Sequence, residues 1–310
     1  MLTLFSIPKP FRGHIAVIQR NAIRSWTLLR PACEIILFGD DEGTAEVAAE
    51  FGVRHVPDVA RNEFGTPLVS DLFAQAQRLA SHDLLCYVNA DIILLSDFIK
   101  AVQQVTNWKR RFLMVGQRWD VDINELWDFK QSDWEEQLQA YVSEHGKLHP
   151  RTGIDYFVFP RGLWESLPPF ALGRTVWDNW LIYSARARRA PVIEATQAVT
   201  IVHQNHDYTH IPDGAEGAWK GPEAQRNLAL AGGYAHVFTL KDATHRLTLS
   251  GPKVDLSRSR LRRHLETLPI LFPNLRPLTK LGKLLARISR PFRVKLGLTP
   301  NPRRTNRHDL

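Results

Sequence analysis

Carboxylates stand in this chain at places where packing alone gives them no use. The stretch HDLLCYVNADIILLSDF, from His82 to Phe98, is almost wholly apolar and reads as a strand buried on both faces, yet Asn89, Ala90 and Asp91 interrupt it. A carboxylate inside so apolar a run is costly unless its charge is compensated. Asp91 is therefore marked as a ligand-binding group, with the capping of a strand end as the plainer alternative. Asp40 and Asp41 directly follow a second apolar run, CEIILFG, where they serve either a ligand or the N-cap of the next helix. Asp178 lies near the start of the helical segment TVWDNWLIYSARARRA, beside Trp177 and Trp180, where it could also be the helix N-cap. His203 ends the run AVTIVH, and His206 and His210 follow it. One or two carboxylates with room for phosphate oxygens suit a hard divalent ion such as Mg2+ or Mn2+. The histidines come without the Cys partners or HExxH spacing of a zinc site.

The elements that must position these groups alternate. LTLFSI is strand-like, HIAVIQRNAIRSW has helical spacing through Ile15, Ile18, Ala22 and Trp26, CEIILFGD is a strand, GTAEVAAEFG a short helix closed by Gly52, and VRHVPDV another strand. TPLVSDLFAQAQRLASH then presents Leu68, Leu72, Phe73, Ala76 and Leu79 on one helix face and leads into the fourth strand. This alternation predicts an α/β fold, a mostly parallel open sheet flanked by helices with right-handed crossovers. Ligands of such sheets bind beyond the carboxyl ends of the strands, which brings Asp40, Asp41 and Asp91 to one crevice. Further along, RRFLMVGQRW reads as a strand, NELWDFKQSDWEEQLQAYVSEHG as a helix, GIDYFVFPRGLW as a strand and turn, and PVIEATQAVTIVHQNHDY as a strand that ends the compact region.

With 310 residues and 44% hydrophobic side chains the chain can bury one substantial core or two modest ones. No run is long and apolar enough for a spanning helix, and MLTLFSIPKP lacks the features of a secretory signal, so a cytoplasmic location is expected. Cys33 and Cys86, both in apolar runs, read as free thiols. The net charge of +8 is uneven: residues 251–310 hold 15 Lys and Arg against three acids, a net of +12, which leaves −4 for the rest. The expected division is a domain of residues 1–250, with halves 1–107 and 108–250, and a basic extension 251–310 whose end is disordered. Within the extension, Leu278, Leu281, Leu285, Ile288 and Phe292 share a helix face, with Lys280, Lys283, Arg287 and Arg290 elsewhere. Residues 278–290 fit peripheral contact with an anionic membrane, packing on the main domain, or nucleic acid. Nucleic acid is the least supported of the three, since no aromatic reading surface accompanies the charges.

The segment YVNADIILLSDF resembles the variant DxD element of GT-A type nucleotide-diphospho-sugar glycosyltransferases, particularly the inverting family 2 group. IILFGDDEG is similar to that family's second strand and Asp-rich turn, NEFGTPLVSDLFAQA to the loop and helix before the motif, and VWDNWLIYSARARRAPVIEA to its acceptor-side segment. The resemblance implies transfer of a sugar from a nucleotide-diphosphate donor to a hydroxyl of a saccharide or lipid-linked saccharide, inverting and assisted by Mn2+ or Mg2+. Position by position it implies that Pro8, Asp40 or Asp41, Asp71, Asn89, Ala90 and Asp91 contact the nucleotide sugar, and that Asp91 and His203 hold the metal. It implies further that Asp178 is the general base, with Asp155 as its rival, and that Asp155, Trp177 and Trp180 lie on the acceptor side. Asn89 departs from the strict motif by removing one charged ligand, which keeps open a non-catalytic nucleotide-sugar-binding protein of the same fold. A nucleotidyltransferase acting on sugar phosphates shares the sheet, but it needs a Gly-rich basic loop after the first strand, and SIPKPFRGH, with Lys9 and Arg12, is a poor version of one.

Overall fold

Strand periodicity decides the layers. The computed structural model describes residues 1–206 and 214–275. The chain begins as expected with β1 (Thr3–Ser6), α1 (Gly13–Leu28), β2 (Glu34–Phe38), α2 (Thr44–Phe51), β3 (Arg54–Val56), α3 (Val69–Leu79) and β4 (Leu84–Val88). It continues with β5 (Ile92–Leu94), α4 (Ser96–Trp108), β6 (Leu113–Val115), β7 (Trp119–Val121), α5 (Trp134–His145), β8 (Lys147–Leu148), β9 (Tyr156–Pro160) and α6 (Trp177–Ala187). Then come β10 (Val192–Glu194), β11 (Ile201–Gln204), α7 (Gly214–Lys220), α8 (Pro222–Leu230), β12 (His245–Thr248), β13 (Gly251–Val254) and α9 (Arg258–Leu271).

Among the described residues the main sheet has nine strands in the order β13-β12-β10-β6-β9-β4-β1-β2-β3. Neighbours run parallel except where β9 meets β4 and β6, and where β13 meets β12. The expected α/β architecture with a mostly parallel sheet is therefore what forms. Successive side chains on a strand point to opposite faces, and here the two faces carry different cores. Leu4, Cys86, Val88 and Val158 face Ala22, Ile23 and Trp26 of α1 and Phe98 and Val102 of α4. Phe5, Tyr87, Phe157 and Phe159 face the other way, where Phe73 of α3 and Trp177 of α6 join them in edge and stacked ring contacts.

The run IILLSDF does not simply return from the sheet edge. It forms β5 in a second sheet of order β5-β11-β7-β8, in which β5 pairs antiparallel and β7 parallel with β11. Behind it Ile93, Leu95, Val121 and Val202 pack on Leu138 and Val142 of α5. Three further expectations are corrected. The helix read over 124–146 starts only at Trp134, because Asp128 accepts a hydrogen bond from the Lys130 backbone (3.1 Å) and diverts the preceding residues into a turn. PVIEATQAVTIVHQ is two strands, β10 in the main sheet and β11 in the second. The compact region does not end there: a first unit runs through Arg263, and a second comprises 264–310.

Residues 251–263 thus sit in the first unit, across the division expected after 250. Arg260, almost fully buried, donates to Glu194 of β10 at 2.8 Å and lies 3.3 Å from Asp255, which ties this basic stretch to the sheet. Residues 278–290 lie outside the described residues. Among the described residues no helix is long and apolar enough to cross a membrane. Both cysteines are free; Cys86 is buried and Cys33 half-buried.

One buried amide locks α1, the β4–β5 turn and β11 together. The Gln204 side chain donates to the carbonyls of Ile18 (2.8 Å) and Asp91 (3.1 Å) and accepts from the Asn21 amide (2.9 Å). Gln204 and Asn21 are essentially without solvent exposure, so any partner left unpaired carries its full desolvation cost. Gln204→Leu should lower the unfolding free energy in a urea titration by about 2–3 kcal/mol; a change below about 0.5 kcal/mol would mean these bonds carry no net stability.

Candidate metal and substrate site

The loops after β1, β2 and β4 enclose a cavity of about 760 Å3 at the carboxyl ends of these strands. Two devices shape the rim. The Lys9 backbone exchanges hydrogen bonds with the buried Gln19 side chain, donating at 2.7 Å and accepting at 2.8 Å, so the segment between Pro8 and Pro10 is held to α1. The Phe11 N–H donates to the Glu42 carbonyl at 2.8 Å, and Gly43 (φ 85°) meets Phe11 so closely that a Cβ there would stand 2.7 Å from Phe11 Cβ. Only glycine accommodates both the backbone angle and that approach.

Asp91 follows from strand arithmetic. β4 stops at Val88, the Asn89 N–H donates to the Asp155 carbonyl (2.9 Å), and the chain turns so that Ile92 of β5 pairs opposite His203 of β11. The pairing brings His203 Nε2 to 3.8 Å and His206 Nε2 to 3.1 Å from Asp91 Oδ2. One ligand atom from each of Asp91, His203 and His206 lies within 4.8 Å of the others. Asp91 is 9% exposed, and its Oδ1 has no hydrogen-bond partner among the described residues. Burial pushes this carboxyl up, but His203, the His206 hydrogen bond and Lys9 outweigh it and hold the group well below the usual carboxylate range. A buried anion with an orphaned oxygen beside two imidazoles is a donor set that fits a divalent ion.

A second group of charges adjoins the first. Arg118, just before β7, donates through Nε to Asp120 Oδ1 (2.8 Å) and through a terminal nitrogen to Asp155 Oδ1 (2.5 Å). Asn89 Nδ2 also donates to Asp155 Oδ1, at 2.7 Å. Asp120 further contacts His149 Nδ1 through Oδ2 (2.6 Å) and stands 3.1 Å from His203 Nδ1 through Oδ1. Burial acts to raise the Asp120 carboxyl, yet His203, His149 and Arg118 together hold it well below the usual range.

Asp178 behaves in the opposite sense. It opens α6 and lines the cavity with partial exposure. Its pKa is pushed up to about 7, chiefly by burial and further by the negative charge of Asp155, against backbone hydrogen bonds and Arg118 that act to lower it. The residue before the helix, Val176, has φ 89°, an unfavourable conformation for a β-branched side chain.

Of the residues singled out in the sequence, Pro8, Asp41, Asn89, Ala90, Asp91, Asp155, Trp177, Asp178 and His203 line this cavity. Trp177 does so with little surface, since its ring lies edge-on to Tyr87 at 5.3 Å and is 6% exposed. Three expected residues stand elsewhere. Asp40 is exposed and paired with Arg61 at 2.7 Å, which holds its carboxyl below the usual range. Asp71 accepts from the Ala60 backbone at 2.7 Å and so pins the loop before α3. Trp180 packs on Phe170. Arg12 pairs with Glu42 at the surface. Arg118, Asp120 and His149 are cavity or network residues that the sequence reading passed over, and the one available signal was the charged pair in GQRWD directly after a strand.

No family model and no curated sequence matches the chain. Solved structures similar to it include glucosyl-3-phosphoglycerate synthase from Mycobacterium tuberculosis in complex with Mg2+ and uridine diphosphate, at 15% identity and a TM-score of 0.46, covering 75% of this chain and 80% of that one. The same enzyme with Mn2+, uridine diphosphate and glucosyl-3-phosphoglycerate matches at 16% and 0.47, with the same coverage. TarS from S. aureus with UDP-GlcNAc matches at 10% and 0.44, over 66% of this chain and 59% of that one.

The raised Asp178 pKa has a consequence for stability. A carboxyl whose folded pKa exceeds its unfolded value of 3.8 opposes folding increasingly as pH rises from about 4 to about 7. Asp178→Asn removes that opposition, so its Tm relative to the parent should rise between pH 4 and pH 8; a difference that stays constant over this range would contradict the assignment.

Proposed function

We propose that this chain is a GT-A type glycosyltransferase that moves a sugar from a nucleotide-diphosphate donor to a hydroxyl of a saccharide or lipid-linked saccharide, with inversion and with a divalent metal. The observation that supports it most is the sharing of one cavity by a charged carboxylate flanked by two imidazoles and a second carboxyl poised near neutrality. Asp91, His203 and His206 would hold the metal. One carboxylate with two imidazoles favours Mn2+ over Mg2+, which prefers oxygen donors throughout. Bound there, the ion would offset negative charge that develops on the diphosphate as its bond to the sugar breaks.

The chain's own residues do the rest. Lys9, beside His206 at 3.4 Å, adds positive charge at the leaving-group end of the cavity. Asp178 takes the proton of the acceptor hydroxyl at a carboxylate oxygen, and a base with a pKa of about 7 is matched to that task. Asp155 is a poor rival, because it is almost fully buried and ion-paired with Arg118; its charge instead raises the basicity of Asp178. Asn89 in place of Asp is then no defect in the site: its amide serves Asp155, and His206 supplies the further donor to the ion. Pro8 and Asp41 lie on the nucleotide side, Trp177 on the acceptor side. The proposal keeps residues 278–290 as a peripheral contact with the cytoplasmic face of a membrane, which would suit polysaccharide biosynthesis; the +12 charge of residues 251–310 and the apolar spacing of that segment are its support.

A thermal-shift screen of UDP-, GDP- and dTDP-sugars with and without Mn2+ tests the reading, since a bound ligand stabilises the fold by RT ln(1 + [L]/Kd). At least one donor should raise Tm in the presence of Mn2+, and Asp91→Ala should abolish the shift. Asp178→Asn should keep donor binding and slow transfer by about 10²–10⁴-fold. The absence of any donor-dependent shift, with Asp91→Ala indistinguishable from the parent, would overturn the proposal. Donor binding without transfer or donor hydrolysis would point instead to a nucleotide-sugar-binding protein.

A further inference from the structure

The sheet that carries His203 also carries a carboxylate in register with it. β7 runs parallel to β11, and Asp120 is the residue directly opposite His203. One ring then stands between two carboxyls: Asp91 Oδ2 is 3.8 Å from His203 Nε2, and Asp120 Oδ1 is 3.1 Å from Nδ1 of the same ring. Asp120 is itself immobilised. Arg118 Nε donates to its Oδ1 at 2.8 Å, and His149 Nδ1 meets its Oδ2 at 2.6 Å, so the carboxylate plane cannot turn away from His203 without breaking both.

We infer that Asp120 is a positioning residue for the metal: His203 Nδ1 is buried, makes no hydrogen bond of good geometry among the described residues and has this carboxylate 3.1 Å away, so that with the ion bound Asp120 accepts the Nδ1–H, fixes that tautomer and ring angle, and presents the Nε2 lone pair to the ion held with Asp91 and His206. The physical requirement is general. A neutral imidazole ligates through one nitrogen only if the other carries the proton, and a carboxylate partner both enforces this and raises the basicity of the ligating nitrogen. Among the described residues Asp120 is the carboxylate next to Nδ1 of His203, at 3.1 Å, and so the group that can select the ligating tautomer.

Two other features point the same way. Asp120 holds its position through the β7–β11 backbone pairing, not through a flexible loop, so the carboxylate and the ligand ring are set by one register. Arg118 links Asp120 to Asp155, and Asn89 meets the same Asp155 oxygen, which ties the orientation of His203 to the turn that carries Asp91. The ligands from β11 and from the β4–β5 turn are thereby coupled through a path that does not pass through the ion.

This inference rests on the proposed metal site, and its test separates the two. Mn2+ alone is titrated into the full chain, with free Mn2+ followed by electron paramagnetic resonance, and the visible spectrum of the Co2+-loaded protein is recorded. The parent should bind both ions. Asp120→Ala should bind Mn2+ about 10–100-fold more weakly, the usual loss when such an orienting partner is removed, and should shift the Co2+ bands. Asp120→Asn, whose amide oxygen can still accept from Nδ1–H, should fall between the two. A purely structural role would lower the metal-free Tm and leave the Mn2+ affinity and Co2+ spectrum of the folded variant unchanged, and that result overturns the inference while the metal site stands. If Asp120→Ala does not fold, Asp120→Asn decides, and parent-like affinity with a parent-like spectrum overturns the inference. Failure of the parent to bind either ion removes the metal site and the inference together.

Discussion

The structure turns on the burial of one negative charge. β4 is apolar and covered on both faces, so nothing polar can emerge from it before Val88, and Asp91 is the first charged side chain beyond that point. An isolated carboxylate in such a place would neutralise itself by taking up a proton. Here the second sheet prevents it. β5 leaves the main sheet immediately after Asp91 and pairs with β11, and that pairing delivers His203, with His206 two residues past the strand end. The buried amide of Gln204 fixes the same junction through the Asp91 carbonyl.

Two carboxyls of one cavity are driven in opposite directions. Asp91 stays charged because cationic or proton-sharing groups surround it, whereas Asp178 is pushed up to about 7 by burial and by Asp155. Pairs separated in this way are how one site holds an anion and a proton acceptor together. Asp155 bears on the division: its Oδ1 is bound by Arg118 and Asn89, and its charge acts to raise Asp178. The helix dipole at the start of α6 acts against the raised pKa, and desolvation outweighs it.

Much of this was legible in the residues. The alternation of apolar runs gave the order β1 to β4, and the aspartate in the middle of YVNADIILL, whose burial needs a partner, lines the cavity beside two histidines. Spacing could not show that IIL would desert the main sheet, since a short apolar run has the same pattern in either sheet. It could not distinguish Asp40 from Asp41 either, because Arg61, which claims Asp40, lies across a loop. Asp71 looked like a site residue and proved to be a brace for the Ala60 backbone. Arg118, Asp120 and His149 were passed over for a plainer reason: the charged pair in GQRWD gains its meaning only when β7 is laid beside β11, a long-range pairing. The same holds for Arg260, which read as part of a basic tail and is instead buried against Glu194.

The central claim is that Asp91, His203 and His206 converge on one ion. Electron spin echo envelope modulation of the Mn2+-loaded chain reads this directly, since imidazole nitrogens bound to the ion modulate the echo. The account predicts modulation from two histidine nitrogens that changes on labelling histidine with nitrogen-15 and is reduced to one in His206→Ala. Mn2+ bound without any nitrogen modulation would contradict it.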